Sequence, residues 1–358
     1  MTSDLDLSLR EAAGLRTADR LYLLCDESTL RHCLPAVRQT FALADNHVLC
    51  LPAGEETKSV DGLCRVWDFL IAGGATRSSM LLVLGGGVLS DLGGMAASTF
   101  KRGIPYVNIP TTLLAMVDAA QGGKTGINYG GLKNEVGLFA PPAATIVYPP
   151  FLRSLPVREL LSGYAEMLKH ALIASPLELA AVLSENALAA LTDLADPAGG
   201  TNMSLLADLI SRSIDIKQYI VEQDPEEQGI RKTLNFGHTI GHALEELSAA
   251  SAAGDDVLSH GYAVAYGIVA ELYLSVLKLG FPQQTLSQVA AFVREHYGRP
   301  ACRCRDYDRL LDLMRHDKKN PSPDRISFTL LRQVGNYRLD QTCTDSEIRE
   351  ALDFLLNF

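Results

Sequence analysis

Apolar residues fall along this chain in two regimes. Over the first 150 residues short apolar runs recur: "RLYLLCD" near 20–26, "HVLCLPAG" near 47–54, "MLLVLGGG" near 80–87, "IPYVNIPTT" near 104–112 and "ATIVYPP" near 144–150. Runs of this length, bounded by glycine and proline, predict buried strands. Between them the spacing turns helical: Leu63, Val66, Phe69 and Leu70 share one helix face, and Gly73-Gly74 closes that helix. Strands alternating with helices predict a parallel, doubly wound α/β sheet. From "LPVRELLSGYAEMLKHALIAS" onward the period is almost wholly 3.6, with breaks at Pro197–Gly200, Ala252–Asp256 and Gly280–Pro282. Only "RISFTLLRQVGNYRL", near 325–339, predicts a hairpin, turning at "VGN". The expectation is an α/β domain over 1–155 and a mainly α-helical domain over 156–358.

Composition narrows the class. The 358 residues are 47% apolar and 21% charged, which describes a globular chain with a sizeable core. The start, "MTSDLDLSLREAAGLRTADR", lacks a basic segment followed by an apolar one, and the apolar runs look too short or too often broken by charge to cross a bilayer. A cytoplasmic protein without a membrane partner is expected. Seven cysteines are scattered without a C-x-x-C pair, against both a disulfide framework and a cysteine-built zinc site. Cys25 and Cys50 lie in strand-like runs as inert thiols. A net charge of −10 argues against nucleic-acid binding and leaves an anionic small molecule open.

Four constellations carry candidate chemistry. In "MLLVLGGGVLSDLGGMAAS" a strand ends in three glycines and a helix opens near Asp91, an arrangement in which free backbone N–H groups can meet a phosphate. Asp26 and the pair Glu55 and Lys58 follow the two preceding strands, where ligands of parallel sheets bind. In "VDAAQGGKTGINYGGLKNEVG", Lys124 follows two glycines and Lys133-Asn134 lie close behind another pair, so an anion site is expected although the P-loop spacing is absent. The third group is His238, His242 and His260, with Glu166 as a carboxylate donor in an apolar helix. The i, i+4 spacing lets both His238 and His242 face a metal. An equally good design takes one of them with His260 and a carboxylate, and the spacing does not choose. The fourth is diffuse: Lys169, Lys217, Arg231, Lys318 and Lys319.

Taken in order, "GGGVLSDLGGMAAS", "KRG", "IPTTLLAMVDAAQGGKTGIN", "GLKNEVG", "LPVRELLSGYAEMLKH", "LNFGHTIGHALE", "HGYAVAYG" and "DKKN" resemble the 3-dehydroquinate synthase family of sugar phosphate cyclases over roughly 85–320. That resemblance implies a Rossmann-like NAD-binding domain followed by a helical metal- and substrate-binding domain, and a homodimer. It implies a metal, Zn²⁺ or Co²⁺, on Glu166, His238 and His260, with His242 left for hydrogen bonding or proton transfer. NAD⁺ would meet Asp26, Glu55, Lys58, Gly86, Gly87, Val88, Asp91, Thr111, Thr112, Lys133, Phe151 and Ser154. Substrate would meet Lys124, Asn134, Arg231, Asn235, His242 and one of Lys318 and Lys319. Asp118, Lys169, Lys217 and Glu227 match active-site positions, and Arg102 matches an arginine that reaches the partner subunit's site.

The implied reaction takes a phosphorylated keto-acid sugar, 3-deoxy-D-arabino-heptulosonate 7-phosphate, to 3-dehydroquinate and phosphate, a shikimate-pathway step. Transient oxidation acidifies a C–H, phosphate leaves by elimination, and re-reduction, ring opening and an aldol closure follow. Two features depart from the family pattern. Ser162 stands where asparagine is common, and the segment between His242 and His260 is long. The competing expectations are a cyclase acting on sedoheptulose 7-phosphate, a metal-dependent polyol dehydrogenase, and a catalytically dead NAD-binding protein.

Overall fold

A computed structural model describes residues 18–41, 43–195, 202–251, 257–316 and 325–358. Contacts divide the described residues into two compact units, one within Met1–Leu160 and Leu194–Ala207, the other within Leu161–Asp193 and Asp208–Phe358.

The first unit is built on β1 (Leu21–Asp26), β2 (Val48–Leu51), β3 (Met80–Gly85), β4 (Tyr106–Pro110) and a short strand at Ala144–Thr145. All pair in parallel, in the order β2-β1-β3-β4 and then Ala144–Thr145. The sequence of β3, Met-Leu-Leu-Val-Leu-Gly, is apolar throughout because every residue in it is buried, as a parallel strand covered on both faces requires. Helices α1 (Glu27–His32), α2 (Leu34–Thr40), α3 (Val60–Ala72) and α4 (Gly87–Thr99) alternate with these strands. Leu63, Val66 and Leu70 of α3 pack with Leu89, Leu92 and Ala96 of α4 and with the sheet in one core. Each leucine or valine side chain fully removed from water contributes roughly 1.5–3 kcal/mol. Burial pushes the Cys25 thiol up to about 12, so it stays protonated.

Two elements differ from expectation. The run at 144–150 pairs over only two residues, because after Ile146 N–H bonds Asn108 O the next donor on β4 would be Pro110, which has no N–H. The glycine-rich stretch after Gln121 is not a loop but an antiparallel hairpin, β5 (Lys124–Tyr129) and β6 (Leu132–Phe139). Gly130 and Gly131 make its two-residue turn with φ of 62° and 83°, between the paired Tyr129 and Leu132. That turn matches the twist of the strands and needs positive φ at both positions. In strand numbering, Ala144–Thr145 is β7.

In the second unit, helices α5 (Val157–Ala174), whose first turn belongs to the other unit, α6 (Pro176–Val182), α7 (Glu185–Thr192) and α8 (Met203–Gln223), whose residues up to Ala207 belong to the other unit, precede α9 (His238–Ser251) and α10 (His260–Leu279). Helices α11 (Gln283–Tyr297) and α12 (Tyr307–Arg315) follow, then the hairpin β8 (Ser327–Gln333) and β9 (Asn336–Thr342), and α13 (Asp345–Asn357). The expected hairpin is present, turning at Val334-Gly335. Helix α10 is central and packs against α9, α11, α13 and β8. Its length and composition would suffice to cross a membrane, contrary to the expectation from the runs, because Glu271 is the only strongly polar residue in its middle. Two-thirds of that stretch is buried within the protein, as a core helix is.

Candidate active site and metal centre

The carboxyl ends of β1 to β4 collect the expected cofactor residues. Asp26 closes β1 and caps α1, its Oδ1 accepting from Thr29 N at 2.8 Å. Gly86 is the N-cap of α4, with Gly87 and Val88 in its first turn and Asp91 one turn on. Thr111 follows β4 and donates its backbone N–H to Gly85 O at 3.0 Å, beside Thr112. The strand order reverses direction around β1 and β3, and that reversal is where open parallel sheets leave a ligand crevice. Lys58, almost fully buried, sets its ammonium group against both Asp91 and Asn134.

Asn128, which the motifs did not single out, ties this cluster together. Its side chain donates to Glu55 Oε1 at 2.8 Å and accepts from Asn134 N at 2.9 Å, while its own N–H reaches Lys58 O at 2.8 Å. The Gly-Gly turn was the available signal, because it brings 128 and 134 face to face. Lys124 and Lys133 are exposed on the same hairpin. Phe151 is buried and sits edge-on to Tyr148 in the 3₁₀ turn Pro149–Ser154, where Ser154 Oγ donates to its carbonyl. Any contact Phe151 makes with a ligand therefore runs through its backbone. Asp118 lies in the turn Ala115–Ala119.

In the second unit the three histidines converge. Their ring nitrogens come within 4.8 Å of one another, and the rings of His238 and His242 stand 5.2 Å apart, nearly perpendicular. The rings of His238 and His260 are held from behind. His238 Nδ1 meets Phe236 O at 3.1 Å, and His260 Nδ1 meets Glu245 Oε2 at 2.9 Å. With Nδ1 protons held by these acceptors, each Nε2 is the nitrogen able to meet a metal, the arrangement metal-ligating histidines use, once His260 gives up its second proton. Those Nε2 atoms lie 3.5 and 3.4 Å from one atom, Oε1 of Glu166 on α5, a carboxylate with no solvent exposure. Such separations are long for hydrogen bonds. They match the roughly 3.3–3.4 Å edge of a tetrahedron with 2.0–2.1 Å zinc–ligand bonds. Burial by itself would depress the His260 imidazolium, but Glu166 and Glu245 outweigh it and raise its pKa to about 10.

Around the histidines, Lys169, one turn after Glu166 and also buried, sets its ammonium against Glu166 Oε2. Ser162 Oγ accepts from Gly261 N at 3.1 Å, so the residue that departs from the family pattern fastens the backbone beside His260. Lys217 is buried on α8. Arg231 is buried in the 3₁₀ turn Ile230–Asn235 and donates to Pro225 O, and Asn235 Nδ2 donates to Glu227 Oε1 at 2.7 Å. Asp224 organises that turn, accepting from the backbone of Gln228, Gly229 and Arg231 at 2.7–3.0 Å. Arg102, Asn134 and Glu227 hold left-handed backbone, with φ of 68°, 55° and 60°, three of the five non-glycine residues that do so among those described. Lys318 and Lys319 lie outside the described residues.

Against known families, the 3-dehydroquinate synthase N-terminal family matches residues 48–162 and the 3-dehydroquinate synthase C-terminal family residues 163–320. The chain belongs to the 3-dehydroquinate synthase family. A curated 3-dehydroquinate synthase of Parabacteroides distasonis is 47% identical over 351 residues, covering 98% of this chain and 95% of that protein. One from Salinibacter ruber is 38% identical, covering 97% and 91%. Among solved structures, a 2-epi-5-epi-valiolone synthase of Streptomyces hygroscopicus, with NAD⁺ and Zn²⁺ bound, is 26% identical with a TM-score of 0.79 over 98% of this chain and 94% of its own. A 2-deoxy-scyllo-inosose synthase complexed with carbaglucose-6-phosphate, NAD⁺ and Co²⁺ shares the fold, with a TM-score of 0.81 at 23% identity over 99% and 96%. The fold class and enzyme family expected from the motifs are thus those of the chain.

Proposed function

We propose that the chain converts 3-deoxy-D-arabino-heptulosonate 7-phosphate to 3-dehydroquinate and phosphate, with the divalent metal on Glu166, His238 and His260. The observation that carries the ligand set is the pair of Nδ1-anchored imidazoles whose Nε2 atoms converge on one buried carboxylate oxygen. His242 stands beside that set without being needed to complete it, and serves as a hydrogen-bonding or proton-transfer group. When bound, the metal polarises the hydroxyl that is oxidised and NAD⁺ accepts and returns the hydride, so no net cofactor is consumed.

The chain's own residues supply the rest. Lys169 balances the buried Glu166 charge and orients it toward the histidines. Arg231, Asn235 and Glu227 form a preorganised polar group on the second unit, and Arg231 is the cation suited to an anionic part of the substrate. On the first unit, the strand ends from Asp26 to Thr112 hold the dinucleotide. Lys124, Lys133 and Asn134 on the exposed hairpin offer charge and hydrogen bonds to phosphate and carboxylate groups. The division of labour follows the two halves, cofactor on the first and metal on the second.

A cytoplasmic homodimer is part of this reading. Strand β6 supports the dimer, because Leu132, Val136, Leu138 and Phe139 leave apolar side chains exposed on it. Purified protein with Zn²⁺ and catalytic NAD⁺ should release phosphate from the heptulosonate phosphate without accumulating NADH. Turnover of sedoheptulose 7-phosphate in its place, or net NADH from a simple polyol, would refute the assignment.

A further inference from the structure

Helix α9, which carries His238 and His242, begins without a local cap. Gly237 stands at its N-cap position and Phe236 before it, so neither residue offers a side-chain acceptor to the free N–H groups of the first turn. The acceptor arrives from α10. Glu271, with no solvent exposure, takes the Gly237 N–H on Oε2 at 2.6 Å and the Thr239 and Ile240 N–H groups on Oε1 at 3.0 and 3.1 Å. A buried carboxylate is costly unless hydrogen-bonded, and a helix N-terminus meets that need with three donors and a partial positive charge.

The position of this carboxylate gives it a second consequence. Contacts between α9 and α10 run in opposite senses: Glu245 meets His260, Gly241 approaches Ala263, and Gly237 approaches Gly267, with Glu271 one turn further. The pair is therefore fastened at both ends, by a carboxylate from α9 on His260 and a carboxylate from α10 on the backbone around His238. The separation and register of the two helices set the distance between the His238 and His260 Nε2 atoms.

We infer that Glu271 is a positioning residue for the metal site, holding the His238 backbone in register with His260 without touching the metal. The inference rests on Glu166, His238 and His260 being the ligands. Glu271→Gln keeps the volume but sets an amide N–H₂ against the donors of the α9 N-terminus, so that helix end must shift. Zinc affinity measured by chelator competition should weaken about 10- to 100-fold, as losses of metal-orienting outer contacts do. The visible d–d bands of the Co²⁺-loaded protein should change shape, and Glu271→Asp, which retains the charge, should recover part of the affinity.

Wild-type zinc affinity and cobalt spectrum in Glu271→Gln, with only the melting temperature lowered, would reduce Glu271 to a helix cap and overturn the inference. Should that variant not fold, hydrogen exchange on the wild-type protein decides. Zinc should slow exchange of the Gly237, Thr239 and Ile240 amides, since coupling between site and clamp is reciprocal, and unchanged exchange overturns the proposal. His238→Ala, run alongside, separates the two readings. If it keeps wild-type affinity, the ligand set falls and this inference with it. If it loses zinc while Glu271→Gln does not, the inference alone falls.

Discussion

Replacing Gly267 by alanine puts a methyl group into the tightest contact between the helices that carry the histidines. A Cβ at 267 would lie 1.9 Å from Gly237 O and 2.8 Å from Gly241 N. Carbon and carbonyl oxygen rest no closer than about 3.3 Å, so the overlap is about 1.4 Å and falls on backbone, which cannot swing aside as a side chain does. Helices α9 and α10 must separate by about an ångström. Forced overpacking of this kind costs about 3 kcal/mol, which for a unit of this size lowers the melting temperature by roughly 6–12 °C. The larger effect falls on the metal site. Its donors sit at 3.4 and 3.5 Å spacings, and sites tolerate displacements of only about 0.5 Å before losing function. Gly267→Ala is therefore expected to weaken zinc binding at least tenfold in chelator competition, beyond its effect on thermal unfolding. Gly280→Ala is the control. Its Cβ meets nothing within 4 Å, its φ is +70°, and it should lose about 1–2 kcal/mol from left-handed strain with zinc affinity unchanged. A Gly267→Ala protein that melts with wild-type and binds zinc within twofold of it would refute the argument.

Three further outcomes are expected. His242→Ala should retain zinc, measured by metal analysis after gel filtration, and lose turnover; loss of the metal there, with retention in His260→Ala, reverses the ligand assignment. Zinc affinity should rise with pH. His260 holds its proton to about 10 in the metal-free protein, and zinc must displace that proton, so apparent affinity should climb by up to about tenfold per unit below pH 10. The sign is opposite for the metal-free fold: the stabilisation from charged His260 is full below about 6.5 and is lost as pH rises through about 10. A pH-independent zinc affinity between 6 and 9 contradicts both statements. Asn128→Ala removes the bonds to Glu55 and to Asn134 N, and NAD⁺ affinity by fluorescence titration should fall several-fold, on the order of 1 kcal/mol, with zinc affinity untouched.

The strands were legible because a parallel strand buried on both faces leaves an unbroken apolar run, and Asp26, Glu55, Gly86 and Thr111 lie at or beyond the carboxyl ends of those runs, where topology alone puts them. The proposed metal set comes from motif resemblance and not from spacing. His238 and His242 share a helix face, so spacing alone does not choose between them, and the bonds that hold His238 to Phe236 O and His260 to Glu245 on another helix are not visible in it. Long-range partners of this kind leave no period in a sequence. The hairpin at 124–139 was missed because its outer strand is wholly exposed and mixes Lys, Asn, Glu and apolar residues, so no face pattern forms. Only the Gly-Gly turn marked it. Glu271 was hidden for the opposite reason, as one charge inside an apolar helix whose partners are backbone amides far away in sequence.

The left-handed backbone of Arg102, Asn134 and Glu227 bears on how this protein could be engineered. Glycine at Arg102 or Glu227 would relieve about 1–2 kcal/mol of steric strain, and less at Asn134, since asparagine tolerates this backbone. A selection for heat resistance alone would therefore favour removing side chains proposed for the substrate, the active site and the partner subunit's site. On the proposed reading, campaigns that score folding without turnover would harden the scaffold at the expense of the enzyme, so these three positions are the ones to freeze before such a search begins.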